Sequence, residues 1–342
     1  MRAAFFQEMG KPLLVGSMAD PTPEADEVII GVGRAGICGS DLHITQYGAV
    51  ATGTVLGHEF AGEIVALGRE VKGDWRVGDR VTALPIHACC HCDACDMDLP
   101  ALCSQVQFTG TQANRPGAYA EFVVARASML QRLPSGVSID EGGMIEPLAV
   151  AYHAVEMGAI KKGEGVLVIG AGPIGAAVTL FARLAGAAHV VVSEPAVTRR
   201  TLATELGATA TIDPKAEDVA TRFRALTGSS PHVVFECVGI PGLIQQAIQL
   251  AGVRGRVVVA GVCFGEDSIT PLVGFSKEVS IQFAQCYTER DFEQVIDLIA
   301  RGEAKVTPMH TQTVGFAQLP ETFEALRTAT GQCKVLIDPT RA

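Results

Sequence analysis

The stretch that decides the fold is Val166-Leu-Val-Ile-Gly-Ala-Gly-Pro-Ile-Gly175, an apolar run followed directly by three spaced glycines. A short β-branched run bounded by glycine predicts a buried strand, and the helical spacing of apolar residues over 174–185 predicts a helix after it. The first glycine permits a tight turn, the second lets a phosphate approach the backbone, and the third allows the helix to pack closely on the strand. Unpaired amides at the start of that helix attract phosphate. The pattern predicts a dinucleotide site at the turn that contains Gly170, Gly172, Pro173 and Gly175.

An acidic residue follows the next predicted strand. Glu194 lies nineteen residues past Gly175. An acid in this position accepts hydrogen bonds from the adenosine ribose hydroxyls and repels the additional phosphate of NADP. Arg199 and Arg200 are near enough in sequence to pair with that phosphate. The sequence therefore predicts NAD as the cofactor, with NADP as the less favoured alternative.

Near-continuous apolar runs recur along the chain after this motif. Such runs are typical of strands buried on both faces, so they predict a parallel sheet covered by helices. The region before the motif instead has short strands separated by glycines, which predicts a β-rich domain, a partly open barrel. The predicted strands of the sheet are 166–169, 190–192, 233–235 and 257–260, with a further helix at 196–206; those of the first domain are 27–32, 55–63 and 77–83; the tail, a helix at 291–301 and a strand at 334–338, is expected to pack back on the first domain.

Length and charge limit the class of protein. A chain of 342 residues is long enough for two domains, and its net charge of -10 provides no field to attract nucleic acid or anionic lipid. No apolar run is long enough to span a bilayer. The ten cysteines, together with a start that lacks the features of a secretory signal, predict a reducing compartment, the cytoplasm.

Half of the cysteines are clustered in one loop. Four of them follow the spacing C-x2-C-x2-C-x7-C, which supplies four thiolates for a closed tetrahedral zinc site with a structural role. Cys90 and His91 lie inside the loop and could compete as ligands; Cys90 is expected to point away. The predicted ligands are Cys89, Cys92, Cys95 and Cys103.

A second group of candidate ligands is spread over two segments. Gly36-Ile-Cys-Gly-Ser-Asp-Leu-His43 supplies Cys38, and Gly57-His-Glu-Phe-Ala-Gly62 supplies His58. One cysteine and one histidine make two ligands, so a third must come from elsewhere in the chain. Taken alone, either residue is more often a packed core residue.

These two segments, the Val77-Gly-Asp-Arg-Val81 segment, the four-cysteine loop and the glycine motif occur in one order that resembles the zinc-dependent medium-chain alcohol and polyol dehydrogenases. The resemblance covers essentially the whole chain. It implies an α/β protein in which a Rossmann doubly wound parallel sheet is inserted in a β-rich, GroES-like catalytic domain. The expected bounds are 1–148 and 285–342 for the catalytic domain and 149–284 for the dinucleotide-binding domain.

The resemblance also implies roles at a catalytic zinc. Cys38 and His58 match its first two protein ligands, Asp41 matches the acid that orients the histidine, and Glu59 matches an acid beside the metal. The sequence Ile145-Glu-Pro-Leu-Ala-Val150 departs from the liver-type enzymes, which have a cysteine ligand there, and resembles the sorbitol and butanediol dehydrogenase branch. Glu146 is therefore expected as the third ligand; the alternative is an acid just outside the coordination sphere.

The remaining implied roles concern proton transfer and the cofactor. Ser40 matches the hydroxyl that contacts the bound alcohol, and His43 the surface histidine that receives the proton. Tyr47 and Phe108 are weaker candidates for the substrate pocket. Lys334 is expected to reach the pyrophosphate or, alternatively, to be a solvated lysine at the start of a strand. The cofactor contacts that the resemblance implies are Ile174 within the glycine motif and, outside it, Glu194, Arg199, Val262 and Lys334.

The predicted protein holds two zinc ions per chain and transfers a hydride between an alcohol and NAD, with zinc as the Lewis acid. The substrate is a small secondary alcohol, diol or polyol, or the corresponding ketone or aldehyde; a sugar polyol is in doubt, because the Arg-Tyr pair of the polyol branch is not evident in Phe283-Ala-Gln-Cys-Tyr287. A homodimer or homotetramer is expected. One alternative is a quinone or enal reductase of the same fold without catalytic zinc; another is a nucleotide-binding protein without activity.

Overall fold

The structure is a computed structural model that describes residues 1–328 and 331–341. Its strands are β1 (Arg2–Phe5), β2 (Leu14–Ser17), β3 (Glu27–Gly36), β4 (Glu59–Leu67), β5 (Arg80–Ala83), β6 (Ile86–His87), β7 (Gln107–Phe108), β8 (Phe122–Arg126), β9 (Leu130–Arg132), β10 (Gly165–Ile169), β11 (His189–Ser193), β12 (Ala210–Ile212), β13 (Val233–Glu236), β14 (Arg256–Val259), β15 (Ser280–Phe283), β16 (His310–Val314) and β17 (Lys334–Ile337). Its α-helices are α1 (Gly39–Gln46), α2 (Asp93–Asp96), α3 (Ile139–Gly142), α4 (Ile145–Gly158), α5 (Pro173–Leu184), α6 (Val197–Glu205), α7 (Val219–Thr227), α8 (Leu243–Leu250), α9 (Pro271–Phe275), α10 (Glu289–Ala300) and α11 (Leu319–Ala325).

The chain divides into two compact units. The first contains 1–146, 288–303 and 310–342, and the second contains 147–287 and 304–309. The second unit is thus inserted in the sequence of the first. The boundaries at 146 and 288 lie two and three residues from the expected ones, and 304–309, expected in the catalytic domain, belong to the second unit. The assignment of a separate role to each domain stays a prediction.

The second unit is built on a six-stranded sheet with the order β12-β11-β10-β13-β14-β15. All five pairings are parallel, and β10 lies between β11 and β13, with Val166 opposite both Val190 and Val233. Every residue of β10 is buried, as its unbroken apolar sequence predicts. The strand order changes direction at β10, and ligands of open α/β sheets bind at the carboxyl ends of strands at such a point. The predicted doubly wound parallel sheet is confirmed.

The first unit is built on a seven-stranded sheet with β3 at its centre. β3 pairs antiparallel with β4, β8 and β17, so the strand 334–337 closes against a strand formed 300 residues earlier. The expectation that the tail packs on the first domain is confirmed. The core of this unit includes the fully buried aromatic rings of Phe60, Tyr119 and Phe323.

Two strands of the first unit are shorter than the sequence predicts. The prediction of a strand over 55–63 is wrong at its start, because Gly57 has a φ of 99° and β4 begins only at Glu59. The prediction of a strand over 77–83 is wrong at its start for the same reason: Gly78 has a φ of 92°, and β5 begins at Arg80. A left-handed glycine interrupts the extended backbone, and at Gly57 this break frees the next residue, His58, from the strand.

None of the helices in the described residues is long and apolar enough to cross a membrane.

Candidate active site and metal centres

Three predicted side chains of the first unit meet at the start of α1 and of β4. Cys38 is the N-cap residue of α1, His58 follows the left-handed Gly57, and Glu59 is the first residue of β4. A thiol sulfur, an imidazole nitrogen and a carboxylate oxygen from these residues all lie within 4.8 Å of one another. Residues separated by twenty positions in the sequence therefore form one group of potential metal ligands.

Two glycines give this group its space. A Cβ added to Gly36 would overlap the carboxylate of Glu59, so only glycine leaves room for that side chain. A Cβ added to Gly57 would lie 2.5 Å from Cδ1 of Tyr119, and the positive φ of this residue disfavours any other side chain as well. The glycines around His58 are thus required by close packing at the ligands.

Asp41 lies behind His58. Its Oδ1 atom is 3.3 Å from Nδ1 of His58, and its side chain is completely buried. Tyr119 donates a hydrogen bond of 2.7 Å to Oδ2 of the same carboxylate. Burial by itself lowers the pKa of His58, but the charges of Asp41 and Cys38 raise it well above its ordinary value. Asp41 and Cys38 therefore stabilise a positive charge at the imidazole of His58.

The group fits a zinc ion on two observations. First, one sulfur, one nitrogen and one oxygen donor are the ligand types that zinc binds at catalytic sites. Second, His58 Nδ1 and Asp41 Oδ1 are buried and make no hydrogen bond, although they are close together. A metal bound at Nε2 fixes the tautomer in which Nδ1 carries the proton and can donate to the carboxylate. These orphaned atoms are what a metal centre with an orienting acid requires.

The carboxylate of Glu59 also forms an ion pair that the sequence did not reveal. Lys334 Nζ lies 2.8 Å from each oxygen of this carboxylate and 3.2 Å from the carbonyl oxygen of Ile37. Glu59 is 0% exposed and Lys334 is 1% exposed. The alternative of a solvated lysine is wrong, because the ammonium is buried in an ion pair. The expected contact of Lys334 with a pyrophosphate stays a prediction.

Glu146 is outside this close group. It is buried in the first turn of α4, and the set of ligand atoms within 4.8 Å of one another does not include its carboxylate. Glu59 is therefore the acid whose carboxylate joins Cys38 and His58 in one close group of potential ligand atoms. Coordination of the metal by Glu146 stays a prediction.

The two predicted proton-transfer residues lie on α1. Ser40 Oγ is 3.2 Å from Cys38 Sγ and 3.4 Å from His58 Nε2, so its hydroxyl is beside both predicted ligand atoms. His43 lies one turn further on, and its pKa is lowered by burial and by the positive charge of Arg327. Arg327 also donates hydrogen bonds to the carbonyl oxygen of Leu42 and to Oγ1 of Thr45. A residue near the end of the chain thus holds the helix that carries both groups.

The four-cysteine loop forms the second predicted metal centre. The sulfur of Cys95 lies 3.9 Å from that of Cys89 and 3.6 Å from that of Cys92, and all four predicted sulfurs lie within 4.8 Å of one another. Four sulfurs at the usual Zn–S distance occupy the corners of a tetrahedron with edges of about 3.8 Å. Hydrogen bonds from backbone N–H groups lower the pKa of Cys92 to about 5 and also lower the pKa of Cys103. Burial and the neighbouring thiols raise the pKa of Cys95 and, against a backbone hydrogen bond from His91, that of Cys89 to about 11. Two of the four sulfurs therefore give up their protons more readily than an ordinary thiol. The loop therefore fits a tetrahedral zinc ion.

The competing ligands of this loop lie differently. Cys90 is exposed, has a φ of 62° and directs its sulfur to the carbonyl oxygen of Ala88. A nitrogen of the His91 ring lies 2.6 Å from the carbonyl oxygen of Cys89. Neither residue belongs to the sulfur group. All ten cysteines lie in the described residues, and none of them is in a disulfide.

The glycine motif of the second unit has the geometry of a phosphate-binding turn. Gly170 has a φ of 89°, and a Cβ on Gly175 would clash with the carbonyl oxygen of Gly170. A Cβ on Gly172, by contrast, meets nothing within 4 Å, so space is open above its backbone. Pro173 and Ile174 form the first turn of α5, whose N-terminal amides adjoin this space. The loop provides the three conditions on which the dinucleotide prediction depends.

Glu194 follows β11 and faces the same loop. Its Oε2 accepts a 2.9 Å hydrogen bond from the backbone N–H of Ala171, and Oε1 accepts one of 2.9 Å from Ala196. Arg200 is engaged with the carbonyl oxygen of Glu194 and with Asp213. Arg199 differs: its Nε atom is buried and has no hydrogen-bond partner. Of the two arginines, Arg199 is the one with a buried donor atom that lacks a partner in the described residues.

Three further predicted contacts, two exposed and one half-buried, lie outside these groups. Val262, in the segment after β14, is 61% exposed, and Tyr47 at the end of α1 is 62% exposed. Phe108 lies in β7, where it pairs with Ile86. Their expected roles toward cofactor and substrate stay predictions.

Sequence reasoning missed Tyr119 and Arg327 and misjudged the surroundings of Lys334. Each acts across a long separation: 78 residues from Tyr119 to Asp41, 285 from Arg327 to Leu42 and 275 from Lys334 to Glu59. Periodicity and local motifs carry no signal for such pairs. Only the antiparallel pairing of β17 with β3 brings Lys334 into this unit's interior.

Comparison with known proteins agrees with this geometry. A model of the alcohol dehydrogenase GroES-like domain matches residues 24–135, and a model of zinc-binding dehydrogenases matches residues 173–301. The 2-dehydro-3-deoxy-L-galactonate 5-dehydrogenase of Pseudoalteromonas atlantica is 35% identical over 306 residues, 88% of each chain. The sorbitol dehydrogenase of Homo sapiens is 32% identical over 321 residues, 91% of this chain and 88% of that one. Among solved structures, a zinc-binding dehydrogenase from Sinorhizobium meliloti bound to NADP is 31% identical, covers 99% of both chains and has a TM-score of 0.91.

Fold, site and relatives together define an oxidoreductase that acts on CH–OH groups. The chain belongs to the zinc-dependent medium-chain alcohol dehydrogenase family, with a GroES-like domain and a Rossmann-like nucleotide-binding domain. The predicted resemblance, fold class and interconversion of alcohol and carbonyl compound are confirmed. The zinc-free reductase is not favoured, because Cys38, His58 and Glu59 converge as ligands.

Proposed function

We propose that this protein oxidises a small secondary alcohol, vicinal diol or polyol to the corresponding carbonyl compound with NAD, and catalyses the reverse reduction. The observation that carries the proposal is the group of Cys38, His58 and Glu59 with Asp41 buried behind it. Such a centre is typical of an open catalytic zinc site, in which protein ligands leave one position for substrate. When bound there, zinc supplies a Lewis acid that lowers the pKa of an alcohol hydroxyl.

The chain's own residues orient the substrate and move its proton. Ser40 Oγ, beside both ligand atoms, accepts the proton of the substrate hydroxyl and passes on its own. His43 is proposed as the next acceptor, because its lowered pKa keeps the imidazole neutral and able to take a proton at physiological pH. The group that takes up the hydride belongs to the nicotinamide, for which the protein supplies binding and alignment.

NAD is proposed as the preferred cofactor. The supporting observation is the carboxylate of Glu194, which is held by two backbone N–H groups at the glycine loop and so brings negative charge to the ribose end of the site. The unpartnered Nε of Arg199 is a donor for a ribose oxygen and also for a phosphate. A relative bound to NADP makes a direct comparison of the two cofactors necessary.

The substrate class rests on the relatives' names. One acts on a polyhydroxy acid and another on sorbitol, so an oxygenated carbon chain with a secondary hydroxyl is the shared chemistry. We therefore propose a small polyhydroxylated alcohol or diol, or its ketone, as the substrate. A panel of diols, polyols and sugar acids, followed by NADH absorbance, would identify it.

Two zinc ions per chain are proposed: one at Cys38, His58 and Glu59 or Glu146, the other at the four-cysteine loop. Metal analysis of the purified protein should give two zinc ions per chain, and Cys38→Ala should retain one and lose turnover. A single zinc ion per chain that is unchanged by Cys38→Ala would contradict the catalytic assignment.

The cytoplasm is proposed as the compartment. A reducing environment suits a chain whose cysteines must stay reduced to bind metal.

Association of two copies through the outer strand of the second unit is proposed as well. In the described residues β15 pairs only with β14, which leaves its other edge open, and Phe283 on this strand is 65% exposed. Leu272 and Phe275 on α9 add an apolar surface, 70% and 82% exposed. Pairing of two β15 edges would complete their hydrogen bonds and cover such side chains. Light scattering at micromolar concentration should give a dimer or tetramer, and Phe275→Lys should weaken it; a monomeric wild type would overturn the proposal.

A further inference from the structure

Tyr119 is a fully buried tyrosine with a single polar function. Its hydroxyl donates a 2.7 Å hydrogen bond to Oδ2 of Asp41, and its ring is 0% exposed. Burial and the charge of Asp41 raise the pKa of Tyr119 well above its usual value, so the hydroxyl keeps its proton and remains a donor. A buried charged acceptor and a neutral donor form one of the stronger kinds of hydrogen bond.

The ring of Tyr119 is held from several sides. Its backbone N–H donates to the carbonyl oxygen of Leu56, and its own carbonyl accepts from the N–H of Ala4. Phe323 packs edge to face against the ring, with centroids 6.3 Å apart. The absence of a side chain at Gly57 lets the ring approach the backbone that precedes His58. These contacts prevent the side chain from rotating, so the fold of this unit sets the position of the hydroxyl.

The carboxylate of Asp41 divides its two oxygens between two tasks. Oδ2 accepts from Tyr119 and, at 3.4 Å, from the backbone N–H of Cys38. Oδ1 lies 3.3 Å from His58 Nδ1 and has no hydrogen bond of its own. Because Oδ2 is held, the carboxylate cannot rotate without breaking these bonds, and Oδ1 stays directed at the imidazole.

We propose that Tyr119 is a positioning residue of the metal centre: by fixing Asp41, its hydroxyl holds His58 in the orientation in which Nε2 ligates zinc. This inference rests on the proposed function, since it requires a metal at Cys38 and His58. Partners that orient a ligating histidine typically change metal affinity by about 10- to 100-fold when they are removed. Tyr119 acts one contact further out, so the expected effect is about tenfold, at the lower end of that range.

The test compares wild type with Tyr119→Phe, which removes the hydroxyl and keeps the ring. Zinc release to a chelator and the visible spectrum of the cobalt-substituted protein report on the Cys38 and His58 centre. We expect Tyr119→Phe to lose the metal of this centre about ten times faster, with a changed cobalt spectrum and with the four-cysteine zinc retained. Tyr287→Phe, a buried tyrosine of the second unit, is the matched control and should behave as wild type.

Two further variants separate positioning from packing. If Tyr119→Phe does not fold, 4-methylphenylalanine at position 119 fills the volume of the hydroxyl without a donor and should show the same tenfold loss. 4-Aminophenylalanine restores a donor and should restore metal retention. In an Asp41→Asn background, Tyr119→Phe should have no additional effect, because its action passes through that carboxylate.

The outcomes also separate this inference from the proposed function. Metal release within twofold of wild type in Tyr119→Phe, or an undiminished effect in the Asp41→Asn background, would overturn the role of Tyr119. A wild-type protein with zinc only at the four-cysteine loop would instead refute the catalytic centre itself.

Discussion

Lys334 and Glu59 form an ion pair in which neither charge reaches solvent: Nζ is 2.8 Å from both carboxylate oxygens, and the two side chains are 1% and 0% exposed. Taking two charges out of water is costly, and only their mutual attraction and further hydrogen bonds compensate. The pair is therefore a place where losing one partner should matter much more than losing both.

In protein without metal at Cys38 and His58, Lys334→Met should lower the free energy of unfolding by about 3–5 kcal/mol, because it leaves the carboxylate of Glu59 buried without a counter-charge. Urea unfolding followed by circular dichroism measures this loss. The double variant Lys334→Met, Glu59→Gln should recover most of it. Lys11→Met, which removes a solvent-exposed ion pair with Glu8, is the control and should leave the unfolding midpoint unchanged. Equal stability of Lys334→Met and wild type would contradict the argument.

Cys95→Ser should remove one zinc ion per chain and lower the thermal midpoint, because structural zinc contributes directly to folding. Cys90→Ser is the matched control: it changes a cysteine of the same loop that lies outside the sulfur group, and it should keep both the metal content and the midpoint. Metal analysis and calorimetry read out the two variants. Loss of zinc from Cys90→Ser, with zinc retained in Cys95→Ser, would reverse the assignment of ligands.

Ser40→Ala should lower kcat by about 100-fold with both zinc ions retained, since a positioned proton-transfer group contributes about that much. Ser40 also donates to Cys38, so the zinc content must be measured beside the rate. A steady-state assay in both directions provides the comparison. If kcat stays within threefold of wild type, the proton leaves by another route.

The pH profile tests His43. The pKa of this residue is lowered by burial and by Arg327, so its neutral, proton-accepting form persists below the ordinary value of 6.5. Activity that depends on the neutral form is present above this pKa and is lost as the pH falls through it. Arg327→Met removes the positive charge, which should raise the pKa and move the acid limb of kcat/KM to higher pH. Arg327→Lys keeps the charge and should leave the limb in place; an unshifted limb in Arg327→Met would rule out this electrostatic effect.

Glu194→Gln tests the preference for NAD. The amide keeps one acceptor oxygen for a backbone N–H and removes the negative charge that would repel the additional phosphate of NADP. The ratio of kcat/KM for NADP to that for NAD should rise about tenfold, which corresponds to about 1.4 kcal/mol. A wild type with equal efficiency for both cofactors would show that Glu194 does not discriminate between them.

The parts of the molecule that follow local rules were predictable from the sequence. An apolar run, three glycines and helical spacing predicted the strand 165–169 and the helix 173–184. The spacing of four cysteines predicted the sulfur group. In the same way, β-branched runs predicted the other buried strands of the sheet.

What the sequence could not predict depends on distant residues or on a single backbone angle. The left-handed Gly57 shortens β4, and a strand prediction from hydrophobic pattern has no access to that angle. The contacts of Asp41 with Tyr119 and of Glu59 with Lys334 require the pairing of strands far apart in the chain. Whether Glu59 or Glu146 completes a metal centre likewise depends on which carboxylate the fold brings beside Cys38 and His58, and only Glu59 belongs to that close group.

The position of Lys334 at the start of the strand that pairs with β3 also has a consequence for biosynthesis. At about 5–20 residues per second, the ribosome needs roughly 14–55 s to make the 275 residues between Glu59 and its counter-ion. Throughout this time the nascent first unit lacks both a strand beside β3 and the cation for its buried carboxylate. All the strands of the second unit's sheet are synthesised some fifty residues before Lys334, so that sheet can form first. Translation that stops before residue 334 should thus yield a protease-sensitive first unit attached to a folded second one.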